Sequence, residues 1–95
     1  MSPYIIKITE YCSKNGIETD FLYLLEKENL IELHFIDNEY WIDDSQFKPL
    51  EEYARWYYDL SINIEGIDVI RNLLDRMDNM QTEISRLREQ LRLLD

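Results

Sequence analysis

The sequence is poor in the residues that loops, disulfides and catalytic sites commonly use. Its 95 residues include two glycines, two prolines, one histidine and one cysteine. A single cysteine, Cys12, excludes an intrachain disulfide and is typical of a reducing cytoplasm. The opening residues MSPYIIKI lack the basic start of a signal peptide, and no apolar run approaches the length of a membrane span. We therefore expect a cytoplasmic chain with few loops.

Basic residues are also scarce. Ten Lys and Arg oppose twenty Asp and Glu, which gives a net charge of −10. Nucleic-acid binders neutralise phosphates with Lys and Arg, and anionic membranes attract the same residues. The charge therefore disfavours DNA, RNA and membrane partners, and it favours a basic protein.

The chain lacks the motifs of common catalytic and metal sites. It has no glycine-rich phosphate loop, no nucleophile elbow and no Cys/His cluster for zinc. His34 falls on the polar face of a predicted hairpin, and no basic neighbour activates Cys12, which is predicted to be a small core residue between two helices. The pair Asp43-Asp44 lacks the alternating oxygens of a calcium loop. We expect no enzymatic activity, no cofactor and no metal.

What the first half does contain is a helix-turn-helix pattern. Residues 4–8 predict a short strand, and the segment ITEYCSKNGI predicts an amphipathic helix that Gly16 ends in the left-handed conformation. A second helix begins near Glu18 or Thr19 and ends at Asn29. Its buried side is predicted to consist of Phe21, Leu22, Leu24 and Leu25.

A hairpin and a third helix follow. The segment IELHFIDNEYWI predicts a β-hairpin that turns at Asp37-Asn38, with Leu33 and Phe35 on one face and Glu32 and His34 on the other. Asp43 is a candidate N-cap, with Gln46 completing a capping box. Because proline breaks a helix beyond its first turn, we expect a short turn over 44–47 and a helix from Pro49 to Leu60.

The last third carries a sustained heptad pattern. Asn63 is a candidate N-cap, and Ile62 and Ile67 have the spacing of a hydrophobic staple. Apolar residues then occupy both core positions of four successive heptads, which is the seam of a coiled coil. The part of the seam nearest the body could pack on the body; it consists of Ile67, Ile70, Leu73 and Leu74. The far part predicts a homodimer or a hetero-coiled coil, with the helices parallel or antiparallel. The predicted dimerisation residues are Ile70, Leu73, Met77, Met80, Ile84, Leu87, Leu91 and Leu94.

This order of elements resembles the MerR-like winged-helix family. ITEYCSKNGIETDFLYLLEKENLI is similar to the opening pair of helices, YWIDDSQF to the segment after the wing, and LSINIEGIDVIRNLL to the turn into the long helix. The resemblance spans residues 5–95. It implies a mainly α fold, a MerR-like winged helix-turn-helix with a short β-hairpin wing (1–62) and a long C-terminal coiled-coil helix for dimerisation (63–95).

The charge departs from the DNA-binding members of that family. Those members usually have arginines at the positions of Asp20 and Tyr23, and a wing arginine at Tyr40 or Trp41. Residues 9–60 here hold thirteen acidic and four basic side chains, a local charge of −9. Such a surface disfavours phosphate contacts, so a DNA-binding transcriptional regulator is the alternative function.

A narrower resemblance is to the CbpM-type chaperone modulators, which are small acidic MerR-like proteins. It lies in the lead-in strand before ITEYC, the short wing with an aromatic before IDD, and DLSINIEGIDVIRNLLDRMDNM leading into a leucine seam, with no effector domain expected. The resemblance implies binding to the J-domain of a CbpA/DnaJ-like co-chaperone, which hinders its docking onto the DnaK-type chaperone. J-domains engage their chaperone through a basic helix face, which an acidic competitor would attract.

Candidate partner-binding residues combine acidic charge with aromatic anchors. Each has a structural alternative, because aromatic residues often belong to a core and charges are often merely solvated. Which acidic surface faces the partner stays open, and a scaffold with an unrelated partner is a third possibility. The candidates are Trp41, Asp43, Asp44, Glu51, Glu52 and Trp56, together with Glu18 and Asp20 on the second helix.

Overall fold

The computed structural model describes residues 4–94. They form a mainly α-helical fold with one small antiparallel sheet, in the predicted order of elements. None of the described helices combines the length and apolar composition that a membrane span needs. The elements are β1 Ile5–Lys7, α1 Ile8–Asn15, α2 Thr19–Lys27, β2 His34–Ile36, β3 Glu39–Asp43, a 3₁₀ turn Asp44–Gln46, α3 Phe47–Ala54, a π-helical turn Arg55–Asp59 and α4 Ile64–Leu94.

Helices α1 and α2 form the predicted helix-turn-helix. Gly16 ends α1 with a φ of 65°, a left-handed conformation that glycine adopts without a steric penalty. Asn29 follows α2 with a φ of 60°, and its backbone N–H donates to the carbonyl of Glu26 at 3.0 Å. Both predicted helix ends are confirmed, since each depends on the conformational preference of one residue.

Strand β3 is the centre of a three-stranded antiparallel sheet in the order β1-β3-β2. The predicted hairpin turn is confirmed: Asp37 and Asn38 have φ values of 51° and 64°, as a two-residue type I′ turn requires. The predicted lead-in strand β1 pairs with the other side of β3 and sets Lys7 opposite Trp41. The sheet therefore joins the start of the described chain to the hairpin wing.

The predicted alternation of the hairpin is wrong at β2. Phe35 is 60% exposed, whereas Leu33, which precedes the strand, packs on the core. Because β2 has only three residues, Leu33 lies outside the ladder and does not share a face with Phe35. His34 is half-buried, and its Nε2 lies 3.0 Å from Oδ2 of Asp43.

The third helix begins two residues earlier than predicted. Asp43 is the expected N-cap and accepts a hydrogen bond from the backbone N–H of Ser45. Gln46 does not complete a capping box, because its Oε1 accepts instead from the N–H of Glu32 at 3.2 Å. Pro49 is the third residue of α3, where a backbone N–H has no partner within its own helix.

The core lies where α1, α2 and α3 meet the sheet and the start of α4. The phenol of Tyr53 donates a hydrogen bond to the carbonyl of Leu30 at 3.2 Å, which ties α3 to the segment after α2. Leu24 was predicted on the buried side of α2 but is 43% exposed, because it lies about 100° around the helix from Leu25. The most buried side chains are Ile8, Leu22, Leu25, Ile42, Leu50, Tyr53 and Ile67.

Helix α4 begins in the core and then leaves it. Asn63 is the predicted cap, and its Oδ1 accepts from the N–H of Gly66 at 2.8 Å. Ile64 and Ile67 are buried and Ile70 packs partly on the core, whereas Leu73, also expected there, is 51% exposed. The helix has 31 residues, or about 46 Å at 1.5 Å per residue. The division into 1–62 and 63–95 stays a prediction, with the first turns of α4 packed on the body.

Candidate partner-binding surfaces

The eight residues predicted to bind a partner do not form one surface. Trp56 is buried; Trp41, Asp43 and Glu52 are half-buried. Each of the half-buried residues has a contact inside the chain, so its role in the fold has to be separated from any role in binding. The remaining four, Glu18, Asp20, Asp44 and Glu51, are exposed.

Trp56 is a core residue, and its prediction as an exposed anchor is wrong. Its side chain is 8% exposed, and its ring lies 5.9 Å from that of Tyr53 between centroids. The backbone carbonyl of Trp56 also accepts from the N–H of Ile62 at 2.9 Å, at the turn into α4. Trp56 lies within the π-helical turn, which contacts the start of α4, and the local sequence does not specify this arrangement.

Trp41 lies on the sheet with one ring face against a cation. The Nζ atom of Lys7 lies 5.7 Å from the ring centroid, and the indole N–H donates to the carbonyl of Ile36 at 3.2 Å. The same Lys7 pairs with Glu39 at 3.1 Å. These contacts hold the ring in place, which leaves it only partly accessible to another protein.

Asp43 and Glu52 are held by pairs within the chain. The hydroxyl of Ser45 donates to Asp43, and this bond, followed by that from His34, holds the pKa of the Asp43 carboxyl below its usual value. Glu52 accepts from Nη1 of Arg71 at 3.2 Å, which joins α3 to α4. Both carboxylates therefore already have a partner inside the chain.

Glu51 borders an open cleft between the end of α1 and α3. The cleft has a volume of about 390 Å³ and is also lined by Asn15, Arg55 and Asp59. The backbone N–H of Glu18 donates to the phenol oxygen of Tyr58 at 3.1 Å, so the start of α2 lies close to this cleft. The lining mixes both signs of charge, which indicates no strong preference for one class of ligand.

Helix α2 and the wing together form the strongly acidic part of the body. Residues 18–46 contain nine carboxylates and a single lysine, Lys27, a net charge of −8 with His34 neutral. Asp20 and Glu28 are exposed and lie four residues on either side of exposed Leu24, on one row of the helix surface. Asp37 and Glu39 add exposed charges at the tip of the wing.

Three exposed aromatic residues lie where α2 meets the wing. None of them is among the residues predicted to bind a partner. Tyr40 of β3 lies between the other two, with ring centroids 5.5 Å from Tyr23 and 4.8 Å from Phe35. We call Tyr23, Phe35 and Tyr40 the wing patch. The hairpin register could have indicated two of its three residues, because a two-residue turn at Asp37-Asn38 sets Phe35 opposite Tyr40.

Cys12 has the properties of a core residue, as predicted. Its side chain is buried, and burial raises the pKa of the thiol to about 11. The thiol is therefore protonated near neutral pH and is a poor nucleophile. Within residues 4–94, no three Cys, His, Asp or Glu side chains are grouped so that they could hold a metal ion.

The predicted seam of α4 is open to solvent in the single chain. The side chains from Leu73 to Leu94 that occupy its core positions are between 43% and 82% exposed. Only Ile70, at the start of the seam, packs against the body. The remaining seam residues have no partner surface among the described residues of this chain.

These elements define a winged helix-turn-helix protein, with two helices joined by a tight turn, a hairpin wing and a long helix that follows. The model of the MerR_2 family, described as MerR HTH family regulatory protein, matches residues 6–89. The chain belongs to this family. Comparisons with curated proteins and with solved structures gave no match.

Proposed function

We propose that the chain is a cytoplasmic chaperone modulator of the CbpM type. In this role it binds the J-domain of a CbpA/DnaJ-like co-chaperone and inhibits its action with the DnaK-type chaperone. The observation that carries the proposal is the charge of α2 and the wing, which is −8 on elements that in a helix-turn-helix protein usually approach DNA. A basic helix on a protein partner complements this charge, and a phosphate backbone does not.

The exposed side of α2 supports a protein partner over DNA. Glu18, Asp20, Glu26 and Glu28 are all exposed, with Lys27 as the one cation of the helix. DNA-binding proteins position themselves through Lys, Arg and backbone contacts to phosphates. Bringing this helix to a duplex would instead place carboxylates next to phosphates, at a cost that low salt increases.

The proposal includes a dimer formed through α4. A helix that exposes apolar residues over three successive heptads has a surface that a second helix can cover. A second copy of this chain is the simplest partner, and a hetero-coiled coil is the alternative. Helix α4 carries six acidic and five basic residues, with Glu83 paired to Arg86 and Glu89 to Arg92, so its net charge is close to zero and does not oppose self-association.

A DNA-binding regulator is the second candidate function. The family description supports it, because it names a regulatory HTH protein. The retained turn at Gly16 and the hairpin wing are also the scaffold that such regulators use. This candidate requires DNA binding at physiological salt, which the acidic face of α2 disfavours.

The two candidates are separated by titrating the intact chain with an isolated J-domain and with a duplex from upstream of its own gene. Calorimetry at low and physiological salt is expected to show J-domain binding that weakens as salt rises, and no duplex binding. J-domain binding should weaken in the double variant Asp20→Arg/Glu28→Lys and persist in the control Asp78→Arg/Glu89→Lys, which makes a similar charge change on α4. Duplex binding without J-domain binding would overturn the proposal in favour of the regulator.

A further inference from the structure

The wing patch is exposed apolar surface that the packing of this chain does not explain. Phe35 is 60% exposed, and Tyr23 and Tyr40 are each 40% exposed. Tyrosine is among the residues in which interface binding energy concentrates, and rigid aromatic side chains lose little conformational entropy when a partner covers them. Contiguous apolar surface of this kind marks an interaction site more often than an isolated exposed residue does.

A cavity lies beside the patch. It has a volume of about 320 Å³ and is lined by Tyr23, Phe35 and Tyr40 together with Ile8, Lys7 and Glu39, among others. Its walls come from α1, α2 and both strands of the wing, so its shape depends on the packed body. A cavity of this size accepts the apolar side chain of a docked segment and is small for most cofactors.

The charge around the patch decides what can occupy it. On α2, Asp20 and Glu26 lie three residues on either side of Tyr23 and the cation Lys27 lies four residues after it; on the wing, Asp37 is in the turn after β2 and Glu39 precedes Tyr40. The nearby cation Lys7 is paired with Glu39 at 3.1 Å, so these two charges offset each other, and the acidic excess around the patch comes from Asp20, Glu26 and Asp37. A second copy would bring the same −8 segment against itself, and a nucleic acid would bring phosphates, so both are repelled.

We propose that the wing patch is the docking site for a basic amphipathic helix of a partner protein. An apolar side chain of that helix enters the cavity between Tyr23, Phe35 and Tyr40, and its Lys or Arg side chains pair with the surrounding carboxylates. This is the helix-in-groove mode of recognition, in which aromatic anchors supply affinity and charge supplies orientation and rate. The inference rests on the proposed function for the identity of the natural partner, a J-domain. That the patch binds a basic amphipathic helix is argued from the patch itself.

The test compares Phe35→Ser with Leu60→Ser in the intact chain. Leu60 is also 60% exposed but lies after the π-helical turn, outside the patch, which makes it a matched control. Two probes are titrated: the J-domain and a synthetic helical peptide with leucines on one face and lysines on the other. Phe35→Ser is expected to weaken binding of both on the order of 10-fold or more, the loss typical of an interface anchor, with no change in Leu60→Ser.

A second variant, Tyr23→Lys, removes an aromatic ring and adds a repelling charge, so it should weaken binding further. Circular dichroism checks that each variant is folded. If the J-domain binds but both patch variants bind it as tightly as the unaltered chain, the inference is wrong and the proposed function stands. If the J-domain does not bind, the proposed function fails, and the inference is judged by the peptide alone. In that case the inference is overturned if the peptide does not bind, or if it binds Phe35→Ser and Tyr23→Lys as tightly as the unaltered chain.

Discussion

The exposed seam of α4 makes a quantitative prediction about self-association. In the double variant Ile84→Ser/Leu87→Ser, two core positions near the middle of the exposed seam become polar. Their side chains are 43% and 45% exposed in the single chain. Full burial of such a side chain contributes about 1.5–3 kcal/mol, so covering the exposed part contributes about 1 kcal/mol each. A dimer contains four of them, and the double variant should therefore lose about 4 kcal/mol, or roughly a thousandfold in Kd.

Sedimentation velocity over a wide range of concentration measures this loss. The unaltered chain is expected to dimerise and to have a Tm that rises with concentration, whereas the double variant should be monomeric with a Tm that does not depend on it. Leu93→Ser is the control, because Leu93 is exposed on α4 but lies outside the two seam positions. Because the seam beyond Leu74 is solvent-exposed, both variants should keep the folded body. A chain that is monomeric throughout, or a double variant that dimerises normally, would refute the reasoning.

Variants at three further positions test the cap of α4 and two shifted pKa values in the body. Asn63→Ala removes the cap of α4 and should lower the free energy of unfolding, measured in urea, by about 1 kcal/mol. Asn63→Asp keeps a capping oxygen and should lose much less. The pKa of Asp43 is lowered by its bonds to Ser45 and His34. Its contribution to stability is therefore present above the unfolded pKa and is lost as the pH falls through the folded pKa. In Asp43→Asn this part of the acid destabilisation should be absent. Burial raises the pKa of the Cys12 thiol from 9.0 to about 11, so the folded chain holds this proton more tightly than the unfolded chain does. Stability should therefore fall as the pH rises from about 9 to about 11. The fall should be less steep in Cys12→Ala.

The helix ends and the hairpin turn could be predicted from the sequence because their causes are local. Gly16 and Asn29 tolerate the left-handed conformation, the pair Asp37-Asn38 suits a type I′ turn, and Asn63 caps the helix that follows it. Each feature depends on one or two residues and on the backbone next to them. Distant parts of the chain do not change that preference.

The surfaces could not be predicted in the same way, because burial is decided by distant elements. Trp56 was a candidate binding anchor with a core role as the alternative, and it is buried against Tyr53, whereas Phe35 has the pattern of a buried strand residue and faces solvent. Gln46 has the spacing of a capping box but bonds to Glu32, fourteen residues away. Charge was the exception, since the acidic character of α2 and the wing follows from composition alone.

The proposed function requires that the chain keep a J-domain co-chaperone from stimulating its DnaK-type chaperone. The most direct measurement is the steady-state ATP turnover of that chaperone with its co-chaperone, as the intact chain is added. Turnover is expected to fall towards the unstimulated rate, with less effect as salt rises, and the chain should not change turnover when the co-chaperone is absent. Stimulated turnover that stays constant when the chain is in large excess over the co-chaperone would contradict the claim.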